Sequence, residues 1–208
     1  WLEAIAHAGS NVGTLVQTLR LFSETPELRR AATPLNWLLE RAGREARARY
    51  KHDPRRYPQP PPRIIADEGL PNVLVDSEHV IDALAEVILN GLESEKSEVV
   101  EIRAHIDHNT DRALIIVRDD GEGMPAEDIP KAFDPYFTTK KKLRRLGLGL
   151  TRAKRLIELS AGEISLRADP GGGLAVAVFV PLAPPGMEAQ ALPESEAEPE
   201  PLDAETGA

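Results

Sequence analysis

Apolar positions along the chain follow two different periods. Residues 1–52 show helical spacing only, carried by Leu15, Leu19, Phe22, Leu39, Ala42 and Ala46. From residue 63 onward, segments that alternate between apolar and polar positions are interleaved with helical ones. The first 52 residues are therefore predicted to form an elongated helical segment, and the later residues to form a separate mixed domain.

Two stretches of unusual composition frame that domain. Residues 53–62 hold five prolines, which exclude helix and favour an extended connector. Residues 184–208 carry seven acidic side chains, no basic ones and almost no large apolar residues. Such a segment buries too little surface to offset its ordering entropy, so we expect a disordered acidic tail.

The remaining residues, 63–183, predict an α+β fold, a two-layer sandwich of a mixed sheet and helices. Predicted strands cover residues 63–67, 98–107, 113–118, 163–167 and 174–180, and predicted helices cover residues 77–94 and 149–160. Polar turns join the strands into two hairpins. Asp76 or Ser77 is expected to cap the first of these helices, and Gly162 is expected to end the second in the left-handed conformation.

Composition removes several classes of function. The 208 residues include no cysteine, which excludes disulfides, cysteine-bound zinc and thiol nucleophiles. The net charge of −9 becomes −2 without the seven charges of the tail, so a broad basic face for nucleic acid is not expected. No apolar run reaches the roughly 20 residues that a membrane-spanning helix needs.

The first candidate feature lies on the helix predicted for residues 77–94. Glu86, Asn90 and Glu93 share one stripe of this helix. An asparagine amide oxygen can ligate a hard cation, although a solvated polar face explains the same stripe.

The second feature is a D-x-G-x-G pattern, Asp119 to Gly123, directly after a predicted buried strand. Glycines at alternate positions let a ligand approach the backbone closely, and a carboxylate there can accept a hydrogen bond from a ligand amine. A tight turn leaving the strand is the simpler alternative.

The third feature is a glycine-led helix start, Gly147-Leu-Gly149-Leu150-Thr151. Free N–H groups at a helix N-terminus, with the helix dipole behind them, suit a phosphate. A flexible entry into the helix is the alternative. The pattern is neither a Walker P-loop nor the first turn of a dinucleotide fold.

In this order and spacing, the three features resemble the ATP-binding catalytic domain of sensor histidine kinases. This domain belongs to the superfamily of the gyrase, heat-shock chaperone and mismatch-repair ATPases. Residues 86–94 resemble its N box, 119–123 its G1 box, 131–140 its F box and 147–150 its G2 box. The likeness covers about residues 64 to 181.

The resemblance implies a role for each motif. Asn90 would hold Mg²⁺, and Asp119 would bind the adenine amino group in a pocket shaped by Gly121 and Gly123. The residues implied in phosphate binding are Gly147, Gly149, Leu150, Thr151 and Lys140. Phe133 and Phe137 would anchor the lid of the site. Glu86 occupies the position of a water-activating glutamate in hydrolytic relatives and would assist the acceptor's attack in a kinase.

The implied activity is transfer of the ATP γ-phosphoryl group to a histidine, and from there to the aspartate of a response-regulator receiver domain. The implied cofactors are ATP and Mg²⁺. The resemblance also implies a homodimer formed through the N-terminal helices and a cytoplasmic location. The alternatives are an ATP hydrolase that uses Glu86 as its base, and a degenerate nucleotide-binding or scaffold module.

The phosphoacceptor is either His7 or a histidine upstream of Trp1, and we favour the upstream position. Residues 15–23 and 33–39 resemble the second dimerisation helix and its exit, which would place the acceptor helix before this sequence. The lid departs from the family pattern, because basic residues replace the usual glycines between Lys140 and Leu146.

Overall fold

The protein is described here by a computed structural model. It covers residues 13, 15, 16, 18, 20–23, 27–51, 60–67, 69–140 and 146–190. The strands are β1 (Ala31–Pro34), β2 (Arg63–Ala66), β3 (Asn72–Val75), β4 (Val100–Asp107), β5 (Arg112–Asp119), β6 (Glu163–Ala168) and β7 (Leu174–Pro181). The α-helices are α1 (Leu35–Lys51), α2 (Ser77–Leu92) and α3 (Gly149–Leu159), and a 3₁₀ turn covers Ile129–Lys131.

Five strands form the main sheet in the order β2-β4-β5-β7-β6. Neighbouring strands are antiparallel, except that β2 runs parallel to β4. Alternate residues of β5 point into the core, and the register places apolar residues of β4 and β7 beside them, such as Ile102 and Val176 on either side of Val117. One face of the sheet is thus a continuous apolar surface.

The three helices cover that apolar face, and α2 lies in the middle. It packs against α1 on one side, α3 on the other, and the sheet beneath. Nine of its residues are buried. Asp76 caps this helix by accepting a hydrogen bond from the backbone N–H of His79, as one of the two predicted capping residues. The predicted α+β sandwich is confirmed.

The structure corrects the predicted position of α1. Residues 1–52 are predicted to form a helical segment separate from the domain, but α1 packs on α2 and contributes to the same core. Its core residues are Leu35, Leu38, Leu39, Ala42, Ala46 and Tyr50. The strand before it, β1, was not predicted and pairs with β3 in a second, two-stranded sheet. Helical periodicity marks an apolar face without identifying the surface that covers it.

The end of α3 is a second correction. Gly162 was predicted in the left-handed conformation, yet the residue with positive φ is Ala161, at 57°. The N–H of Gly162 bonds to the carbonyl of Ile157 at 2.9 Å, which makes a Schellman ending with Ala161 at the left-handed position. Gly162 is needed for a different reason, since a Cβ there would lie 2.5 Å from the carbonyl oxygen of Phe179.

Several predicted segments lie wholly or partly outside the described residues. Before residue 24 the described residues are helical, and Phe22 is half exposed there. Most of the connector and of the acidic tail falls outside the described ranges. The described start of the tail contacts the domain, because the N–H of Gln190 donates to the carbonyl of Ala32 at 2.8 Å. None of the helices in the described ranges has the length and apolar character required to cross a membrane.

The ending of α3 gives a stability prediction. Ala161→Gly should raise the free energy of unfolding by about 1 kcal/mol, because glycine adopts positive φ without the Cβ penalty. Gly162→Ala should lower it by about 1–3 kcal/mol through the collision with Phe179. Urea unfolding of both variants measures the two effects. Destabilisation by Ala161→Gly would contradict the left-handed conformation of Ala161 and would favour Gly162 as the left-handed residue.

Candidate functional site

Asp119 ends the inward-facing row of β5 that begins with Ala113, Ile115 and Val117. Asp119 is buried, with a relative exposure of 5%. Burial raises the pKa of Asp119, and the hydrogen bond that its Oδ1 accepts from the N–H of Gly121 at 3.0 Å opposes this only in part. The sheet therefore places a desolvated carboxylate at the edge of its apolar face.

The D-x-G-x-G turn packs closely on the hairpin of β6 and β7. Gly123 and Gly173 have φ of +75° and +79°. A Cβ on Gly123 would lie 3.1 Å from the carbonyl oxygen of Gly173, and one on Gly173 would overlap the backbone of Asp119. Gly121 similarly abuts the side chain of Ser94. Both glycines of the motif are required by close contacts beside Asp119.

Asp120 holds the loop after α2 and was not identified from the sequence. Its Oδ1 accepts hydrogen bonds from the N–H groups of Glu98 and Val99 at 2.8 and 3.0 Å. Desolvation opposes these bonds but is outweighed, so the pKa of Asp120 is lowered. The N–H of Glu122 also bonds to the carbonyl of Glu95 at 3.0 Å. Strand alternation was the signal that could have identified Asp120, because it places the side chains of Asp119 and Asp120 on opposite faces of the sheet.

Asn90 binds a positively charged side chain of the same protein, Lys140. The ammonium group of Lys140 donates to the amide oxygen of Asn90 at 2.7 Å and to its backbone carbonyl at 2.6 Å. The adjacent Gly91 abuts Asp119, with 3.4 Å between the position of a Cβ on Gly91 and the Cβ of Asp119. The structure thus brings together the predicted residues Asn90, Asp119 and Lys140.

The F-box and G2-box segments meet through their backbones. The N–H of Tyr136 donates to the carbonyl of Gly147 at 3.0 Å. Gly147 has a φ of +67°, and a Cβ there would lie 2.5 Å from the carbonyl oxygen of Phe137. The two ends of the basic lid are therefore close together, and its residues 141–145 lie outside the described ranges.

The start of α3 suits an anionic ligand. Its N-cap, Leu148, supplies no side-chain hydrogen bond to the first N–H groups. The hydroxyl of Thr151 is buried and has no hydrogen-bond partner among the described residues. Gly149 and Leu150 form the first turn. These features fit the predicted phosphate contact at a helix N-terminus.

The two predicted lid phenylalanines, Phe133 and Phe137, are both half-buried. The ammonium of Lys154, on α3, lies 5.6 Å from the centre of the Phe133 ring, within the range of a cation–π contact. This contact places the F box against α3.

Glu86 is ion-paired to two arginines that the sequence analysis did not identify. Its Oε1 lies 3.0 Å from a guanidinium nitrogen of Arg49 and 3.0 Å from one of Arg152. Burial disfavours the charge of Arg49, but the hydrogen bond and charge of Asp82 and the charge of Glu86 outweigh it and raise the pKa of Arg49. Only the spacing of Asp82 and Glu86 on one helix was visible in the sequence.

The side chains here suit a metal ion that is also bound by a ligand molecule, rather than one surrounded by protein side chains alone. Within the described ranges, no group of three or more His, Cys, Asp or Glu side chains is arranged to hold a metal. An amide oxygen that already binds the Lys140 ammonium is a suitable ligand for one hard cation whose other ligands come from a bound molecule.

Residues 75–184 match the family described as histidine kinase-, DNA gyrase B- and HSP90-like ATPase. The match spans more than half of the chain and includes Asn90, Asp119 and the start of α3. The chain therefore belongs to this family, and the likeness inferred from its motifs is confirmed.

Curated relatives narrow the likeness to sensor kinases. The alginate biosynthesis sensor protein KinB of Pseudomonas aeruginosa is 35% identical over 121 residues, which cover 57% of this chain and 20% of KinB. The sensor histidine kinase ZraS of Salmonella typhimurium is 29% identical over 121 residues, covering 58% of this chain and 25% of ZraS. The chain thus spans about a fifth to a quarter of the length of these relatives.

Solved structures share the fold. Full-length ShkA, determined in complex with AMPPNP, has a TM-score of 0.71 and 21% identity over 90% of this chain and 38% of ShkA. The catalytic domain of the histidine kinase ThkA has a TM-score of 0.57 and 20% identity, covering 76% of this chain and 97% of that domain.

The buried carboxylate gives a pH-dependent prediction. Because the pKa of Asp119 is raised above its ordinary value of 3.8, folding favours the protonated form, and the stability contribution of Asp119 falls as the pH rises through the folded-state pKa. Asp119→Asn removes this cost, so its melting temperature relative to the unaltered chain should be higher at pH 7 than at pH 3. Glu122→Gln, at an adjacent exposed position, is the control. A difference that does not vary with pH would contradict the raised pKa.

Proposed function

We propose that this chain contains the ATP-binding catalytic domain of a protein-histidine kinase, which transfers the γ-phosphoryl group of ATP to a histidine. The observation that carries the proposal is the pairing of a cation with the amide oxygen of Asn90 beside the buried carboxylate of Asp119. A nucleotide needs both features, one for its phosphates with their metal ion and one for its base.

Different residues bind the base and the phosphates of the nucleotide. Asp119 accepts a hydrogen bond from the adenine amino group, and Gly121 and Gly123 keep the pocket clear of side chains. The N–H groups at the start of α3 and the ammonium of Lys140 contact the phosphates. Phe133 and Phe137 anchor the segment that covers them.

Asn90 would hold Mg²⁺ through its amide oxygen, in place of the Lys140 ammonium that contacts this oxygen in the structure. Mg²⁺, when bound, neutralises charge on the phosphates during transfer. The chain's own contribution to the reaction is to position ATP for in-line attack by a histidine nitrogen, with ADP as the leaving group.

The wider proposal is that the phosphohistidine passes its phosphoryl group to the aspartate of a response-regulator receiver domain, and that the protein acts as a homodimer through its N-terminal helices. The named sensor proteins among its relatives support this context. His7, one of the two acceptor possibilities, lies outside the described residues, and the other possibility is a histidine upstream of Trp1.

The alternative of an ATP hydrolase requires Glu86 to take a proton from water. The Oε1 of Glu86 is paired with both Arg49 and Arg152, and these two guanidinium groups compete with a water molecule for that oxygen. We therefore favour phosphoryl transfer over hydrolysis.

Substitution of Asn90 tests the site. Asn90→Ala should weaken Mg²⁺-dependent ATP affinity by about tenfold or more, because it removes the amide ligand, while affinity in EDTA should change little. Titration calorimetry with and without Mg²⁺ measures both. Asn109→Ala, in the exposed turn between β4 and β5, is the matched control. Unchanged Mg²⁺-dependent affinity in Asn90→Ala would contradict the assignment.

A labelling experiment tests the reaction. The chain is incubated with γ-labelled ATP and Mg²⁺, and protein-bound label is tested for the acid lability of phosphohistidine. Label within these 208 residues would identify His7 as the residue to substitute next, whereas label only in a longer form of the protein would indicate the upstream histidine. Steady release of phosphate with no labelled protein in either form would favour the hydrolase.

A further inference from the structure

Four charged side chains from three helices form a cluster of ion pairs beside the proposed nucleotide site. Arg49 of α1 and Arg152 of α3 each reach both Asp82 and Glu86 of α2. Arg49 bonds to Asp82 at 2.7 Å and to Glu86 at 3.0 Å, and Arg152 bonds to Glu86 at 3.0 Å and also contacts Asp82. We call these four residues the charge cluster. It is the direct polar link between all three helices.

The charge cluster is largely withdrawn from water. Its two carboxylates face two guanidinium groups, and side-chain exposure ranges from 15% for Arg152 to 30% for Arg49. Arg49 also pairs at 2.9 Å with Glu45, a more exposed carboxylate of α1 at the rim of the cluster. Ion pairs at this depth are screened less by salt than surface pairs are. Removing one partner leaves a charge that is both desolvated and unpaired, and this costs more than the pair itself contributes.

Glu86 connects the charge cluster to the phosphate end of the site. Its Oε1 receives both arginines, while its Oε2 lies 2.9 Å from where a Cβ on Gly149 would be. Gly149 is the first residue of α3, and Asn90 lies one helical turn after Glu86 on α2. A carboxylate therefore touches the helix start at which the phosphates are proposed to bind.

We propose that the charge cluster makes Glu86 a positioning residue: Arg49 and Arg152 neutralise its carboxylate and fix the start of α3 relative to Asn90, so that Glu86 supports phosphate binding without acting as a base. This inference rests on the proposed function, because it assigns a role within the same nucleotide site.

The physical reason is the sign of the charges. A carboxylate at a helix N-terminus is stabilised by the helix dipole, but it competes there with a phosphate and repels it. The paired guanidinium groups remove this repulsion, and their fork geometry fixes the distance between α2 and α3. An unpaired Glu86 would oppose triphosphate binding at the place where α3 is meant to favour it.

The test uses the full 208-residue chain and the probe AMP-PNP with Mg²⁺, measured by titration calorimetry well below the melting temperature of each variant. Arg152→Met should weaken AMP-PNP affinity by about tenfold or more, because the cluster then carries an uncompensated negative charge. Adding Glu86→Gln to Arg152→Met removes the carboxylate charge nearest the start of α3, while Asp82 keeps its ion pair with Arg49. The double variant should therefore bind AMP-PNP better than Arg152→Met alone, although it lacks two cluster residues.

Further measurements separate this role from a merely structural one. Adenosine, which has no phosphates, should lose much less affinity than AMP-PNP in Arg152→Met. Arg152→Lys, a milder change that keeps the positive charge, should lose less AMP-PNP affinity than Arg152→Met. Arg112→Met is the matched control, because it removes the Arg112–Glu163 ion pair at the opposite end of β5 and should leave AMP-PNP affinity unchanged.

Three outcomes would overturn the inference while leaving the proposed function intact. Equal AMP-PNP affinity in Arg152→Met and the unaltered chain would do so, as would failure of Glu86→Gln to improve binding in the Arg152→Met background. Complete loss of phosphoryl transfer in Glu86→Gln with unchanged AMP-PNP affinity would instead identify Glu86 as a base. Absence of AMP-PNP binding by the unaltered chain would contradict the proposed function itself, and the inference with it.

Discussion

The burial of α2 between two helices and a sheet is the constraint on which the site depends. Nine of its sixteen residues are buried, so its rotation and axial position are set by the core. The residues that remain at its edge, Asp82, Glu86 and Asn90, recur every four positions along one stripe. Each therefore meets a fixed partner: arginines from the neighbouring helices, the start of α3, or Lys140.

The second element of the site follows from the alternation of β5. The row of Ala113, Ile115 and Val117 continues to Asp119, so the strand that builds the core also carries a carboxylate into it. Close packing of glycine residues on one side of that carboxylate helps to keep it desolvated. Carboxylates with a pKa shifted by desolvation are concentrated at functional sites.

Polar and charged side chains are paired at each part of the site. The ammonium of Lys140 donates to the amide oxygen of Asn90, and two arginines pair with Asp82 and Glu86. The G1 turn is held in the same way, since Asp120 accepts N–H groups from the loop after α2. The membership of the chain in a family of ATPases fits the pairing of Asp82 and Glu86 with arginines, because paired carboxylates repel a polyphosphate less than unpaired ones do.

The sequence by itself determined the features that depend on local spacing. Strand alternation, helix caps and glycine motifs predicted the α+β sandwich. Together with the family resemblance, they also predicted as site residues Asn90, Asp119, Gly121, Gly123, Gly147 and Gly149. Tertiary structure decided what depends on distant partners. It placed α1 in the domain core and moved the left-handed position from Gly162 to Ala161. It also joined Arg49 and Arg152, which lie 37 and 66 positions away in the sequence, to Glu86. Local patterns specify which face of an element is buried, but only packing specifies which residue it meets.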